Sequence, residues 1–135
     1  MQNQLMQNQR SIVGVWNATI KAALLPETFN GLWTFFADGN FLEVNDLRET
    51  NPGVWMASDK GYLLTFWGYL YDEQGKSFGK AIVCFSIHLV DDNHFTADGV
   101  CNAVDGEGKP MTSQFDGPAH IVAERLKVEY PVLDA

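Results

Sequence analysis

The chain has few of the features that announce a chemistry. Its 135 residues include only two cysteines, three histidines and nine Lys plus Arg. Two cysteines are too few for a disulfide framework or a four-thiolate zinc site. No run approaches the ~20 consecutive apolar residues that span a bilayer. The N-terminus lacks a basic stretch followed by an apolar one, so a secretory signal is not expected and a cytoplasmic location is. Seventeen acidic residues outweigh the nine basic ones, for a net charge of −8. Nucleic acid and anionic membranes reward clustered Lys and Arg, so neither a nucleic-acid partner nor membrane insertion is expected. There is no Gly-rich phosphate loop, no G-x-S-x-G elbow and no H-E-x-x-H pair, which leaves nucleotide cofactors without support and predicts no cofactor. His88, His94 and His120 have no zinc-ligand spacing, and no metal site is expected.

What the chain does have is apolar and aromatic content, 46% and 13%, enough for one well-cored domain. Residues 1–10 (MQNQLMQNQR) read as a flexible tail, residues 11–130 as a single β-barrel domain, and 131–135 as a second tail. From Ser11 onward, β-rich runs alternate with turn chemistry. Eight runs are predicted: Ser11–Ile20, Gly31–Phe36, Phe41–Asn45, Gly53–Ala57, Gly61–Tyr71, Ser77–Val90, His94–Val104 and Met111–Lys127. Asp, Asn and Gly clusters between them favour tight turns, so successive strands are antiparallel neighbours. Eight in series predict an up-and-down antiparallel barrel, which removes free sheet edges. The one helical candidate is a short turn near residues 21–28, limited by Pro26.

Turn geometry assigns the faces, because opposed hairpin residues advance in step. A two-residue turn at Asp38-Gly39 pairs Phe35 with Leu42 and Trp33 with Val44. A two-residue turn at Asp92-Asn93 sets Cys84 opposite Cys101 and Ile87 opposite Asp98. A three-residue loop, Glu73-Gln74-Gly75, sets Trp67 opposite Ala81. The predicted inner face then holds Leu63, Thr65, Trp67, Tyr69, Ala81, Val83, Phe85, Ile87, Leu89, Asp98 and Val100. The last turn adds Asn102, Gln114 and Asp116 beside Asp98, with a bulge at Gly117-Pro118. Tyr62, Leu64, Phe66 and Leu70 are left outside as an apolar stripe suited to a homodimer.

Gly14-Val15-Trp16 opens the first strand and Arg125 stands near the end of the last. This pattern resembles the lipocalin signature, and residues 11–127 are similar to compact bacterial lipocalin-like (calycin-type) barrel proteins. The resemblance implies that Arg125 packs over Trp16 at a closed barrel base and that the interior is a cup for one small apolar molecule. It also admits cofactor-free enzymes that cyclise or isomerise a natural-product intermediate of polyketide, terpene or indole type.

On these readings Trp33, Phe35, Trp55, Thr65, Trp67, Tyr69, Phe85, Ile87, Asn102 and Gln114 are the candidate ligand-binding residues. Asp98 and then Asp116 are the candidate acid–base groups, since a carboxylate in an apolar cavity has its pKa raised toward neutrality. Cys84 and Cys101 are expected as free thiols. Cys84 and His88 share a face, but four strand residues are about 13 Å, too far for a nucleophile pair. The leading expectation is a binder of a small hydrophobic, ring-containing molecule. The alternatives are the cyclase or isomerase and a dimeric interaction protein.

Overall fold

A computed structural model describes residues 11–132. The expected tail at 1–10 and the end of the second tail, 133–135, lie outside the described residues. Among the described residues nine strands form: β1 (Gly14–Ala22), β2 (Phe29–Phe35), β3 (Asn40–Asn45), β4 (Thr50–Ser58), β5 (Gly61–Tyr71), β6 (Ser77–Asp91), β7 (His94–Asp105), β8 (Pro110–Met111) and β9 (Gly117–Arg125). Each of β1 to β7 pairs antiparallel with the next, and β9 pairs with both β7 and β1. Eight staves thus close into an up-and-down barrel. The two-residue β8 extends the β9 edge along β7, at Ala103 and Val104. Residues 112–116 loop out between them. The expected bulge at Gly117-Pro118 does not form: Gly117 stands opposite Cys101 and Pro118 opposite Val100 in an unbroken ladder, the chain's turn being taken by the loop before them and by Gly117 at φ +98°.

No helix forms at residues 21–28. One turn closes there, with Leu25 N donating to Ala22 O, and Lys21 Nζ reaches Leu25 O. Among the described residues no helix is long and apolar enough to cross a membrane.

Three hairpins depart from the expected register by one residue, each for an identifiable reason. At residues 36–40 the turn has three residues, with Gly39 at φ +93° and Phe36 N bonded to Asn40 O. Phe35 therefore pairs with Phe41, and Trp33 with Glu43. Between β5 and β6, Tyr71 pairs with Ser77 as the three-residue loop requires. A bulge at Phe78 then shifts the ladder, so Trp67 meets Ile82. Between β6 and β7, Asp91 pairs with His94 as expected, but a bulge at Val90 sets Cys84 opposite Val100 and Asp98 opposite Ser86. One extra residue turns every side chain beyond it to the other face. β6 stays as expected, with Ala81, Phe85 and Ile87 buried, while the Gly39 turn inverts β3 and the two bulges invert β5 and β7. Leu64, Phe66 and Leu70 point into the core and are not an outer dimer stripe. Leu63, Trp67 and Tyr69 face outward.

The base of the barrel is closed by Trp16 and Arg125. The guanidinium carbon lies 4.3 Å from the Trp16 ring centroid, a cation–π contact. Its nitrogens donate to three carbonyls: Nε to Asp92, Nη1 to Val13 and Nη2 to Ser11. Gly14 explains the first letter of G-x-W. Its φ is +133°, and a Cβ there would stand 2.8 Å from Arg125 Nη1, so a side chain is excluded by both backbone and space.

Above this plug the lower half of the barrel is solid. Trp33 is its hub, with ring centroids of Phe41 and Phe85 at 5.4 Å, Phe66 at 5.9 Å and Phe95 at 6.0 Å. Edge-to-face and tilted pairs at these distances are favourable geometries for aromatic rings.

Candidate functional site

The upper end of the barrel is hollow. A chamber of about 60 Å³ lies between β1–β7 and β9, walled by Ile20, Phe29, Trp33, Phe66, Leu70, Ala81, Val83, Phe85 and Phe115, with Glu43, Asn45, Glu49 and Asn51 as its polar residues. It shares Glu49, Asn51, Tyr69, Leu70 and Phe115 with a larger vestibule of about 700 Å³, which adds Leu47, Arg48, Tyr71, Phe78, Thr112, Ser113 and Gln114. The two form one cup, narrow and apolar below, wide and polar at the rim.

The chamber contains an acidic side chain that the hydrophobic pattern does not announce. Glu43 is 2% exposed. The short turn at Gly39 puts alternate β3 residues Phe41, Glu43 and Asn45 inside. Trp33 Nε1 donates to Glu43 Oε2 at 2.7 Å. Glu43 Oε1 accepts from Asn51 Nδ2 at 2.7 Å and from Asn45 Nδ2 at 3.0 Å. Asn45 is held in that orientation, because its Oδ1 accepts from the backbone N of Leu47 and Glu49 and its Nδ2 also reaches Glu49 Oε1. Two glycines make the room. A Cβ at Gly31 would come within 3.2 Å of Glu43 Oε2, and one at Gly68 would collide with Asn51 Oδ1.

Burial raises the Glu43 pKa above its ordinary value of 4.5, opposed by the bonds from Asn51, Trp33 and Asn45 and assisted by the nearby Glu49 carboxylate. Among the described residues no Lys or Arg pairs with it. An ionised carboxylate in an apolar wall without a counter-ion is costly. Here three donors carry the compensation.

Of the residues expected to line the cavity, Trp33 and Phe85 do so. Phe35 and Ile87 are buried in the solid lower half. Trp55 is half-buried near the base, its Nε1 donating to Phe36 O at 2.9 Å. Thr65 lies on the outer face, its hydroxyl 3.6 Å from Cys84 Sγ. Trp67 is 49% exposed under the Lys80 ammonium. Tyr69 is 68% exposed but borders the cup's mouth. Asn102 faces outward between buried Cys101 and Ala103. Gln114 stands exposed at the vestibule rim.

The two expected acid–base groups are not in the cup. The Asp98 side chain is 81% exposed, its Oδ1 2.7 Å from His120 Nδ1, because the Val90 bulge turns it outward. Asp116 closes a turn, accepting from Ser113 N and Ser113 Oγ. Cys84 is an exposed free thiol and Cys101 a buried one, its pKa pushed up to about 11 chiefly by burial. Among the described residues no three His, Cys, Asp or Glu side chains gather as metal ligands.

Glu43, Asn45 and Asn51 went unseen in the sequence because an inward strand face is recognised by its apolarity. The available signal was the turn: Ala37-Asp38-Gly39 read as a three-residue loop with Gly in the left-handed region places Glu43 opposite Trp33. Against known proteins, no family model matches the chain, and no curated protein or solved structure matches it.

Proposed function

We propose that this protein binds a small, mainly apolar molecule in the open half of its barrel, with the ligand's polar end directed at Glu43. The observation that supports this is a buried carboxylate, hydrogen-bonded but without a Lys or Arg partner among the described residues, on the wall of an aromatic-lined chamber that opens into a roomy vestibule. Binding sites commonly combine apolar area with a few placed polar groups. The volumes decide how such a molecule sits. The chamber's 60 Å³ is well below the ~150 Å³ of an apolar cavity that admits benzene. A ring is therefore held in the vestibule, and only a narrow end enters the chamber. Native mass spectrometry of detergent-free protein, with release and identification of any bound compound, tests the reading. A co-purifying apolar ligand, lost on filling the chamber by Ala81→Leu, is the expected result. An empty wild-type barrel that binds no apolar probe overturns it.

The raised Glu43 pKa favours a second reading. A carboxyl poised toward neutrality against an apolar chamber suits acid–base work, so a cofactor-free cyclase or isomerase of a natural-product intermediate would use Glu43 where the sequence pointed to Asp98 and Asp116. Turnover of such a substrate abolished in Glu43→Gln and unchanged in Asp98→Asn would establish it.

A further inference from the structure

We propose that the narrow end of the ligand is a protonated primary amine, and that the cup is built for an alkylammonium-headed molecule. The inference rests on the binding reading above and adds the charge and size of the group at the chamber floor. Three observations support it. First, the chamber is lined by acceptors. Glu43 Oε1 has two donors but Oε2 only one, and a carboxylate oxygen offers two lone-pair positions. Asn51 turns its Nδ2 to Glu43, which leaves its Oδ1 above Gly68 as an acceptor. Glu49 adds a second carboxylate at the same wall. An ammonium has three donors and no acceptor, and these three residues offer it three acceptors.

Second, the charges lining the chamber are of one sign, the cation Arg48 lying out in the vestibule. Glu43 and Glu49 are bridged by a single Asn45 amide, which donates to both. Among the described residues neither forms an ion pair with Lys or Arg. Two neighbouring carboxylates repel, and a cation between them relieves that repulsion. A carboxylate-headed ligand entering head first meets like charge, and an alkyl end entering first brings no donor to Glu43 Oε2 or Asn51 Oδ1.

Third, the size is selective. A chamber of about 60 Å³ takes a chain end with a compact head and excludes a bulky one. The aromatic wall of Trp33, Phe66 and Phe85 suits a cation next to it. The body of the ligand lies in the vestibule, against Leu47, Tyr71 and Phe78.

The test is a charge series on the wild-type protein: hexylamine, 1-hexanol, hexanoate and hexyltrimethylammonium, titrated at about pH 8, where an alkylamine is still protonated. Affinity is read from calorimetry and from the shift of the assigned Trp33 indole N–H resonance, which reports the Glu43 bond directly. Hexylammonium is expected to bind about tenfold tighter than hexanol, the size of one charge-assisted hydrogen bond, with hexanoate and the trimethylated ion weaker than both. Glu49→Gln is expected to weaken hexylammonium severalfold more than it weakens hexanol. Hexanol binding as tightly as hexylammonium overturns the amine assignment and leaves the cup standing. Failure of all four probes to bind or to shift the Trp33 resonance removes the cup and the inference together.

Discussion

Trp33 and Glu43 face each other across the β2–β3 ladder, and the indole N–H of one is bonded at 2.7 Å to the carboxylate of the other. The same indole is the hub of the aromatic core. The polar floor of the cup and the packed lower half of the barrel are therefore two sides of one residue. Whatever changes the charge on Glu43 is felt by the core beneath it.

The first prediction follows from that charge. A carboxyl whose folded pKa is raised favours the protonated form on folding. Its stabilising share is present below the ordinary value of 4.5 and is lost as pH rises through the raised folded value. Glu43→Gln imitates the protonated acid at every pH. The stability of the variant relative to wild type should therefore increase from about pH 5 to pH 8, as measured by urea midpoints. A difference that stays flat over this range would show that the three donors offset or outweigh burial.

Gly68 supports the floor from β5. Gly68→Ala places a methyl where Asn51 Oδ1 now lies, and Asn51 must swing off Glu43. Loss of a hydrogen bond to a buried charged group costs about 1–3 kcal/mol, so a fall of that size in chemical denaturation is expected. The Trp33 indole N–H resonance should shift at the same time, which a simple clash elsewhere would not produce.

At the base, Arg125→Lys keeps the charge but loses the fork that spans Ser11, Val13 and Asp92 carbonyls. Lys and Arg are not interchangeable at stacked, multidentate sites. A cost of about 2 kcal/mol is expected, read as a lower thermal midpoint. Binding of hexanol at the opposite end should be unaffected.

The two thiols should separate cleanly. Cys84 is exposed on the outer face, whereas Cys101 is buried on the chamber wall with its pKa at about 11. Since thiolate is the reactive form, an aromatic disulfide reagent should titrate one thiol quickly in native protein and the second only after unfolding. Fast modification of both would mean that the chamber opens far wider than its walls suggest.

Strand order and barrel closure were legible because turn chemistry is local: Asp, Asn and Gly mark the hairpins, and short connections force neighbours together. The Trp16–Arg125 pairing was legible through the lipocalin resemblance. The cup was not, because its location depends on three single-residue events. A left-handed Gly39 and bulges at Phe78 and Val90 decide whether Glu43 or Val44, Phe66 or Trp67, and Ala97 or Asp98 look inward. On β5 both faces are greasy, so bulk could not arbitrate. On β7 the inward residues Ala97 and Ala103 are small, and the apolar rule gave way to Asp98 and Val100. A lone acid facing the core runs against that rule altogether, which hid Glu43.

The bond from Arg125 Nη2 to Ser11 O joins positions 114 residues apart. Almost the whole chain must be threaded before it forms, and contacts of such separation are entropically slow to close. Until β9 inserts, β1 and β7 each present a bare edge and Trp16 lacks its Arg125 cover. Folding should thus end on the last strand. A chain cut short before Gly117 leaves two adhesive edges where the barrel has none.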